Sequence, residues 1–195
     1  MSSLLDTLNQ ALRGESVDAI SGRIGTDPQH TRSAIQQALP LIVGALGQEA
    51  ADPQRASGLR KALAEDHDGS VVDNPQAYLS GRMASKATNG QAILDHVLGD
   101  RQPAAHQALA GTSGLDIGKI ASLLPLLAPL VMSVLGKRQR TGGVGSDDLA
   151  SVLGGETKRA AEGSPEIGDL LGSVLGGGQR KGGVDDLLGS ILGGR

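Results

Sequence analysis

Apolar residues recur at intervals of three and four positions along most of the chain up to residue 136. Examples are Leu5-Leu8-Leu12, Ala56-Leu59-Leu63 and Ile93-Leu94-Val97-Leu98, whose members share one face of a helix. No segment alternates apolar and polar residues at a period of two for long enough to predict a β-sheet. The pattern therefore predicts an all-α fold, built as a compact domain of several helices.

The predicted helices begin at proline and end at glycine. Asp27-Pro28, Asp52-Pro53 and Asn74-Pro75 each place a hydrogen-bond acceptor before a proline. Such a side chain caps the free N–H groups of a helix, and proline fits the first turn because no hydrogen bond needs its missing N–H there. Glycine ends a helix readily because it adopts a left-handed conformation. On this basis helices are expected to stop at Gly14, Gly25, Gly69, Gly90, Gly99 and Gly111.

Two apolar segments, at residues 35–46 and 120–131, share one arrangement. Each has an apolar helical stretch, a Leu-Pro step at Leu39-Pro40 or Leu124-Pro125, and a second apolar stretch. Proline inside a helix removes a backbone hydrogen bond and clashes with the preceding turn. Each segment is therefore expected to form a kinked or broken helix pair. Because these are the most apolar parts of the chain, the two are expected to pack together at its centre.

The composition changes near residue 137. Residues 137–195 hold 16 of the 30 glycines, together with alternating basic and acidic clusters. Each glycine disfavours a helix by about 1 kcal/mol relative to alanine. The sequence thus predicts a folded helical domain at residues 1–136 and a Gly/Leu-rich, flexible and largely disordered tail at residues 137–195.

The tail carries one short motif three times, at residues 148–155, 169–177 and 186–194. Each copy starts with Asp, which favours the first turn of a helix, and ends with Gly-Gly. Apolar residues four apart, such as Leu170 and Val174, fall on one helical face. A helix this short is unstable alone, so each copy is expected to fold when it docks in a groove. The candidate partner-binding residues are Leu149, Val152, Leu153, Leu170, Leu171, Val174, Leu175, Leu187, Leu188, Ile191 and Leu192.

The composition also excludes several chemistries. With no cysteine, the chain has no disulfide, no thiolate metal site and no thiol nucleophile. Tyr78 is the only aromatic residue, so the core must be built from aliphatic side chains. The first residues lack the basic segment and apolar stretch of a signal peptide, and a cytoplasmic location is expected.

Residues 120–136 are apolar and uncharged, but they are fewer than the roughly 20 residues that span a bilayer. They also contain Pro125 and Pro129. We therefore predict a buried core helix and no transmembrane segment. Contact of residues 120–140 with a membrane surface is the less favoured interpretation.

The acidic cluster around His67 is the strongest candidate for chemistry. Residues 65–68 place three carboxylates beside its imidazole, a set that binds hard cations or assists proton transfer. Calcium loops space their ligands two apart, whereas these are consecutive. A turn between helices is favoured, in which Asp68-Gly69 supplies the geometry and Ser70 or Asn74 caps the next helix. We therefore expect no metal, no cofactor and no catalytic residue, and hence no enzyme.

DNA binding is the alternative function. Residues 20–37 have the outline of a helix–turn–helix with Gly25 in the turn. The net charge is −3, and residues 1–51 hold three arginines against five acids, which provides few of the phosphate contacts that dominate affinity. A plain helical hairpin is therefore favoured. The candidate nucleic-acid contacts are Arg23, Gln29, His30, Arg32 and Gln36.

Several motifs together resemble a known family. They are Asp66-His67-Asp68-Gly69-Ser70-Val71-Val72-Asp73-Asn74-Pro75, Tyr78-Leu79, Gly90, residues 93–99 and Gly114-Leu115-Asp116, with the Leu-Leu-Pro-Leu-Leu-Ala-Pro-Leu segment. Over residues 1–140 the chain is similar to the bacterial domain-of-unknown-function family 937, the YidB-like group. The resemblance implies an all-helical fold and a bacterial source, and it implies no activity.

The leading hypothesis is a non-enzymatic interaction or assembly module of unknown pathway. In it the tail motifs dock as short amphipathic helices onto the protein itself or another protein, and three copies add avidity. The other interpretation of the motif is that its copies cover the protein's own surface or have no binding role.

Overall fold

A computed structural model describes residues 3–83, 86–142, 145 and 148–176. Across these residues the chain forms α-helices, two short 3-10 helices at Lys86–Thr88 and Gly99–Arg101, and no strand, so the predicted all-α fold is confirmed. The α-helices are α1 Leu4–Ala11, α2 Glu15–Ile24, α3 Pro28–Ala51, α4 Pro53–Glu65, α5 Ser70–Asp73, α6 Pro75–Leu79, α7 Gly90–Val97, α8 Gln102–Ser113, α9 Ile117–Arg140, α10 Leu149–Gly163 and α11 Pro165–Leu175.

The two long apolar helices α3 and α9 form the centre of the fold, as predicted. They contact each other, and most of the other helices pack against one or both of them. Residues 38–46 of α3 and residues 126–136 of α9 are buried without interruption. Because neither helix keeps a polar face over these stretches, both are enclosed on all sides by other elements.

The aspartates that precede the first prolines of α3 and α4 cap these helices, as predicted. The Asp27 side chain accepts hydrogen bonds from the backbone N–H groups of Gln29 and His30 at 2.9 and 3.0 Å. Asp52 caps α4 in the same way. The helix α6 also begins at the predicted position, although the Asn74 side chain makes no capping bond.

The prolines inside α3 and α9 do not break them, so of the two expected forms, a kinked or a broken helix pair, the broken one is wrong. The helix α3 continues through Pro40, and α9 continues through Pro125 and Pro129. Pro129 lacks the N–H that would bond to the carbonyl of Pro125. The Tyr78 hydroxyl donates to that carbonyl at 3.3 Å and to the Leu126 carbonyl at 3.1 Å. A side chain from α6 thus supplies a hydrogen bond that α9 cannot make for itself.

Much of the segment expected to be flexible is helical. Residues 137–140 complete α9, and residues 149–175 form α10 and α11, which pack on α3. The glycines of these helices reduce helix propensity, but burial of Leu149, Leu153 and Leu170 offsets that cost. The packed body therefore extends well beyond residue 137. Residues 177–195 lie outside the described part of the chain.

The helix α9 is long and apolar enough to cross a membrane by length and composition. Within α9, 67% of the most apolar stretch of 18 residues is buried inside the protein. Burial at the centre of a helical domain accounts for this apolar character, as the sequence predicted for residues 120–136.

Candidate functional site

The first two copies of the tail motif lie in α10 and α11 and face the core. Val152 and Leu175 are partly buried. The third copy, with candidate residues Leu187, Leu188, Ile191 and Leu192, lies outside the described residues. Buried side chains of the first two copies are Leu149, Leu153, Leu170, Leu171 and Val174. These residues were predicted to dock onto the protein itself or a partner, and in the structure they contact the chain's own helices.

Two glycines of α3 let the motif helices approach closely. A Cβ atom on Gly44 would lie 2.7 Å from Leu175 Cδ1 and 3.3 Å from Leu171 Cδ2. A Cβ atom on Gly47 would lie 3.3 Å from Leu153 Cβ. The leucines of both motif copies therefore occupy space that any larger residue on α3 would take.

A buried carboxylate ties α10 to the beginning of the chain. Glu156 is 4% exposed, and its side chain accepts a hydrogen bond from the Leu5 backbone N–H at 3.3 Å. Arg159 donates to the same carboxylate at 3.0 Å. Near the end of α9, the Arg138 guanidinium donates to the Ser3 carbonyl at 2.7 Å. The N-terminal turn of α1 is thus held from two later elements.

An open groove of about 360 Å³ runs between α4 and α7, and we call it the α4–α7 groove. Its apolar lining includes Leu59 and Ala62 from α4, Ile93 and Val97 from α7, and Met132 from α9. A groove of this size, largely apolar with a few polar groups, has the character of a binding site. Its polar lining residues are Asp66, His67, Lys86, Asn89 and His96.

His67 is the buried polar residue of the groove. It is 4% exposed, and its Nδ1 atom has no hydrogen-bond partner among the described residues. Burial lowers the pKa of His67, against the opposing effect of the nearby Asp66 and Asp68 carboxylates. The imidazole is therefore held towards its neutral form, with a buried Nδ1 that is unpaired among the described residues.

The turn that was favoured for this segment is present between α4 and α5. Gly69 has a φ of 95°, in the left-handed region. The Asp68 side chain accepts a hydrogen bond from the Ser70 backbone N–H at 2.9 Å. Asp68 thus binds the first N–H of α5, whose N-cap residue is Gly69. The Asn74 side chain does not cap α6, and the predicted capping by Ser70 or Asn74 is wrong.

A second buried polar group lies near the C-terminal end of α3. The Glu49 side chain is 1% exposed and accepts from Arg55 at 2.5 Å. His96 Nε2, on the groove, lies 3.8 Å from Glu49 Oε2. This arrangement pairs a buried carboxylate with a permanent cation and fixes the end of α3 against α4 and α7.

The candidate nucleic-acid residues lie around the predicted turn. The helices α2 and α3 are joined through Gly25, whose φ is 67°. Gln29, His30, Arg32 and Gln36 are exposed on the first half of α3, and Arg23 is exposed on α2. Arg32 and Gln36 line a polar groove of about 570 Å³ with Arg13.

Two of these side chains already have partners in the chain. Arg23 Nη1 donates to the Leu79 carbonyl at 3.0 Å. His30 Nδ1 pairs with Asp27 Oδ2, and this hydrogen bond is the main reason that the pKa of Asp27 falls to about 2. The exposed face therefore includes one histidine already matched to a carboxylate.

No cluster suited to holding a metal ion comes together in the described ranges. No group of three or more His, Asp or Glu side chains lies close enough to hold a metal ion there. Gly114 ends α8 with a φ of 77°. Gly118 lies in the first turn of α9, where the Asp116 side chain accepts from the Lys119 backbone N–H at 2.9 Å.

Sequence reasoning missed the α4–α7 groove and the glycines that shape its surroundings. Gly90 was expected to end a helix, but it begins α7, where a Cβ atom would lie 1.7 Å from the Pro125 carbonyl oxygen. A Cβ atom on Gly136 would lie 1.8 Å from the His67 carbonyl oxygen. A glycine at the end of a continuous apolar run, as in Ser-Val-Leu-Gly at residues 133–136, was the available signal of a close backbone contact.

Comparison with known proteins identifies the family. The family model described as "Bacterial protein of unknown function (DUF937)" matches residues 6–138, more than half of the chain. Neither a curated protein nor a solved structure matches. The chain therefore belongs to this bacterial family of unknown function.

Proposed function

We propose that the protein is a non-enzymatic interaction module whose repeated tail motif is a helix-docking element. The observation that carries the proposal is the docking of two motif copies on α3 as helices. Their leucines fill the space left by Gly44 and Gly47. Two copies of the motif thus pack as helices on this protein's own α3. A third copy follows at residues 186–194.

The third copy repeats the apolar spacing of the second. Leu170 and Val174 correspond to Leu187 and Ile191, four residues apart in each case. Residues with this spacing fall on one helical face and are the anchors of helix-in-groove recognition. In the proposed function the third copy docks in a groove of the same fold, either on its own chain or on a second copy.

A synthetic peptide tests this function. A fluorescent peptide of residues 183–195 is titrated with full-length protein carrying Leu187→Asp and Ile191→Asp, so that the protein's own third copy cannot compete. We expect saturable binding by fluorescence anisotropy. A peptide carrying the same two substitutions should bind at least tenfold more weakly, a difference of about 1.4 kcal/mol or more, because two buried apolar contacts are lost.

The control is the unsubstituted full-length protein. If its own third copy occupies the groove, the peptide should bind it more weakly than it binds the double variant. The absence of any anisotropy change with either protein would contradict the proposed function.

DNA binding through the helix–turn–helix-like segment is the second candidate. Its support is the exposed polar face of α3 and the groove that Arg13 and Arg32 line together. If it is correct, Arg23→Ala with Arg32→Ala should weaken DNA binding and reduce its salt dependence, because phosphate contacts release counterions. Equal affinity of the double variant and the original chain, measured over a salt series, would exclude it.

A further inference from the structure

We propose that the third tail motif, residues 186–194, docks as a short helix in the α4–α7 groove of its own chain. This inference rests on the proposed function and names the acceptor of the motif. It follows from where the described chain ends, from the length of the connecting segment, and from the lining of the groove.

The described chain ends beside the groove. The carbonyl of Leu175, at the end of α11, accepts a hydrogen bond from the Gln48 side-chain amide at 3.0 Å. The oxygen of that amide accepts from Arg101, which also donates to the Val97 carbonyl at 3.0 Å. Val97 lines the α4–α7 groove. The end of α11 is thus connected to the groove through two side chains.

The connecting segment is long enough to reach the groove and short enough to favour the same chain. Eight residues, 177–184, separate Gly176 from Asp185. Extended, they span up to about 26 Å. A short linker raises the effective concentration of a tethered motif to the millimolar range, so that docking on the same chain outcompetes docking on a second copy in dilute solution.

The groove and the motif match in length. The groove follows all of α7, from Asn89 before its first turn to Val97 at its end. The eight residues of α7 are about 12 Å long, and a helix over residues 186–192 is about 10 Å long. Leu187, Leu188 and Ile191 would place their side chains along the apolar lining, at the spacing of helix-in-groove anchors.

The polar groups of the groove suit this orientation. A motif that enters beside Val97 places its C-terminal end near Asn89 and Lys86. The exposed Lys86 cation favours the negative end of a helix dipole.

Paramagnetic broadening tests the inference in the full chain. Because the sequence has no cysteine, Ser190→Cys introduces a single site for a nitroxide label. In ¹⁵N-labelled protein, we expect the amide signals of Ala62, Ala92 and His96 to lose more than half of their intensity relative to the reduced label. The amides of α1 serve as the remote comparison.

A matched variant carries the same label with Leu187→Asp and Ile191→Asp. We expect the groove amides to recover their intensity there, and also in a chain with Ile93→Asp in the groove. Broadening at another surface would overturn the proposed acceptor while the proposed function stands. Broadening that appears between a labelled chain and a separate ¹⁵N chain would replace docking on the same chain with exchange between copies. No broadening beyond the tail, with no peptide binding, would overturn both proposals.

Discussion

Gly136 lies where the last part of α9 meets the turn that follows α4. A Cβ atom there would lie 1.8 Å from the His67 carbonyl oxygen and 3.1 Å from that of Leu63. Both neighbours are backbone atoms, so they cannot rotate away as a side chain would. We expect Gly136→Ala to lower the free energy of unfolding by about 1–3 kcal/mol, the usual cost of overpacking, as measured by urea denaturation.

Gly22 provides the matched control for this substitution. It is an exposed glycine inside α2, and a Cβ atom there meets nothing within 4 Å. Gly22→Ala should therefore raise the free energy of unfolding by about 0.4–1 kcal/mol, because alanine restricts the unfolded chain and favours the helix. Equal effects of the two substitutions would show that the backbone contact at Gly136 does not constrain the fold.

His67 makes the stability of the protein depend on pH. Burial lowers its pKa in the folded state below the value of about 6.5 in the unfolded chain. Between these two values the unfolded state binds more protons, so stability should fall as the pH falls below about 6.5, by at most about 1.4 kcal/mol per pH unit.

Denaturation of the original chain and of His67→Gln at pH 7.5 and pH 5.5 measures this contribution. The loss of stability should be smaller in the variant, because glutamine does not titrate. Burial also lowers the pKa of His106, but that effect is common to both proteins. An identical loss in the two proteins would mean that His67 is not the source of the pH dependence.

At the scale of single elements, the starts of the helices were predictable because their causes are local. Asp27 caps α3 through bonds that reach no further than three residues along the chain. The continuity of α9 through Pro125 and Pro129 was not predictable. At Pro129, the freed carbonyl of Pro125 accepts a hydrogen bond from the hydroxyl of Tyr78, which is 47 residues away from Pro125 in sequence. A proline pattern alone cannot show that a distant side chain will satisfy the freed carbonyl.

The helices α10 and α11 were also not predictable from local sequence, which predicted a flexible segment where the structure has helices. Each glycine inside a helix disfavours the helical state by about 1 kcal/mol relative to alanine. Full burial of a leucine contributes about 1.5–3 kcal/mol, and Leu153 and Leu170 are almost completely buried. The decisive feature was the room that Gly44 leaves on α3, which appears only after the helices are packed.

The candidate site was predictable in part for the same reason. The turn around Asp68 and Gly69 follows from local turn chemistry, and the sequence predicted it. The α4–α7 groove is formed where α4 and α7 lie side by side over α9. Their sequences show two amphipathic helices but do not contain the angle or distance between them.

At the scale of the whole molecule, the region matched by the family model ends earlier in the chain than the packed helices do. The match covers residues 6–138, whereas α10 and α11 extend the packing on α3 to residue 175. Glu156 on α10 also accepts from the backbone of α1 at Leu5. The matched region therefore relies on residues beyond it for the cover of α3, and the contact at Leu5 lies just before its beginning.

Two truncated chains test whether the fold needs α10 and α11. A chain ending at residue 142 loses α10 and α11, and five buried apolar side chains with them, namely Leu149, Leu153, Leu170, Leu171 and Val174. Since a domain is stable by only about 5–15 kcal/mol, this loss should move the urea midpoint, followed by circular dichroism, sharply down or abolish the transition. A chain ending at residue 176 keeps every contact described and loses only the proposed docking of the third copy, so its midpoint should fall by much less. If the shorter chain matched that midpoint too, α10 and α11 would be additions to a domain already complete at residue 142, and the docking of the motif on α3 would contribute nothing to the fold.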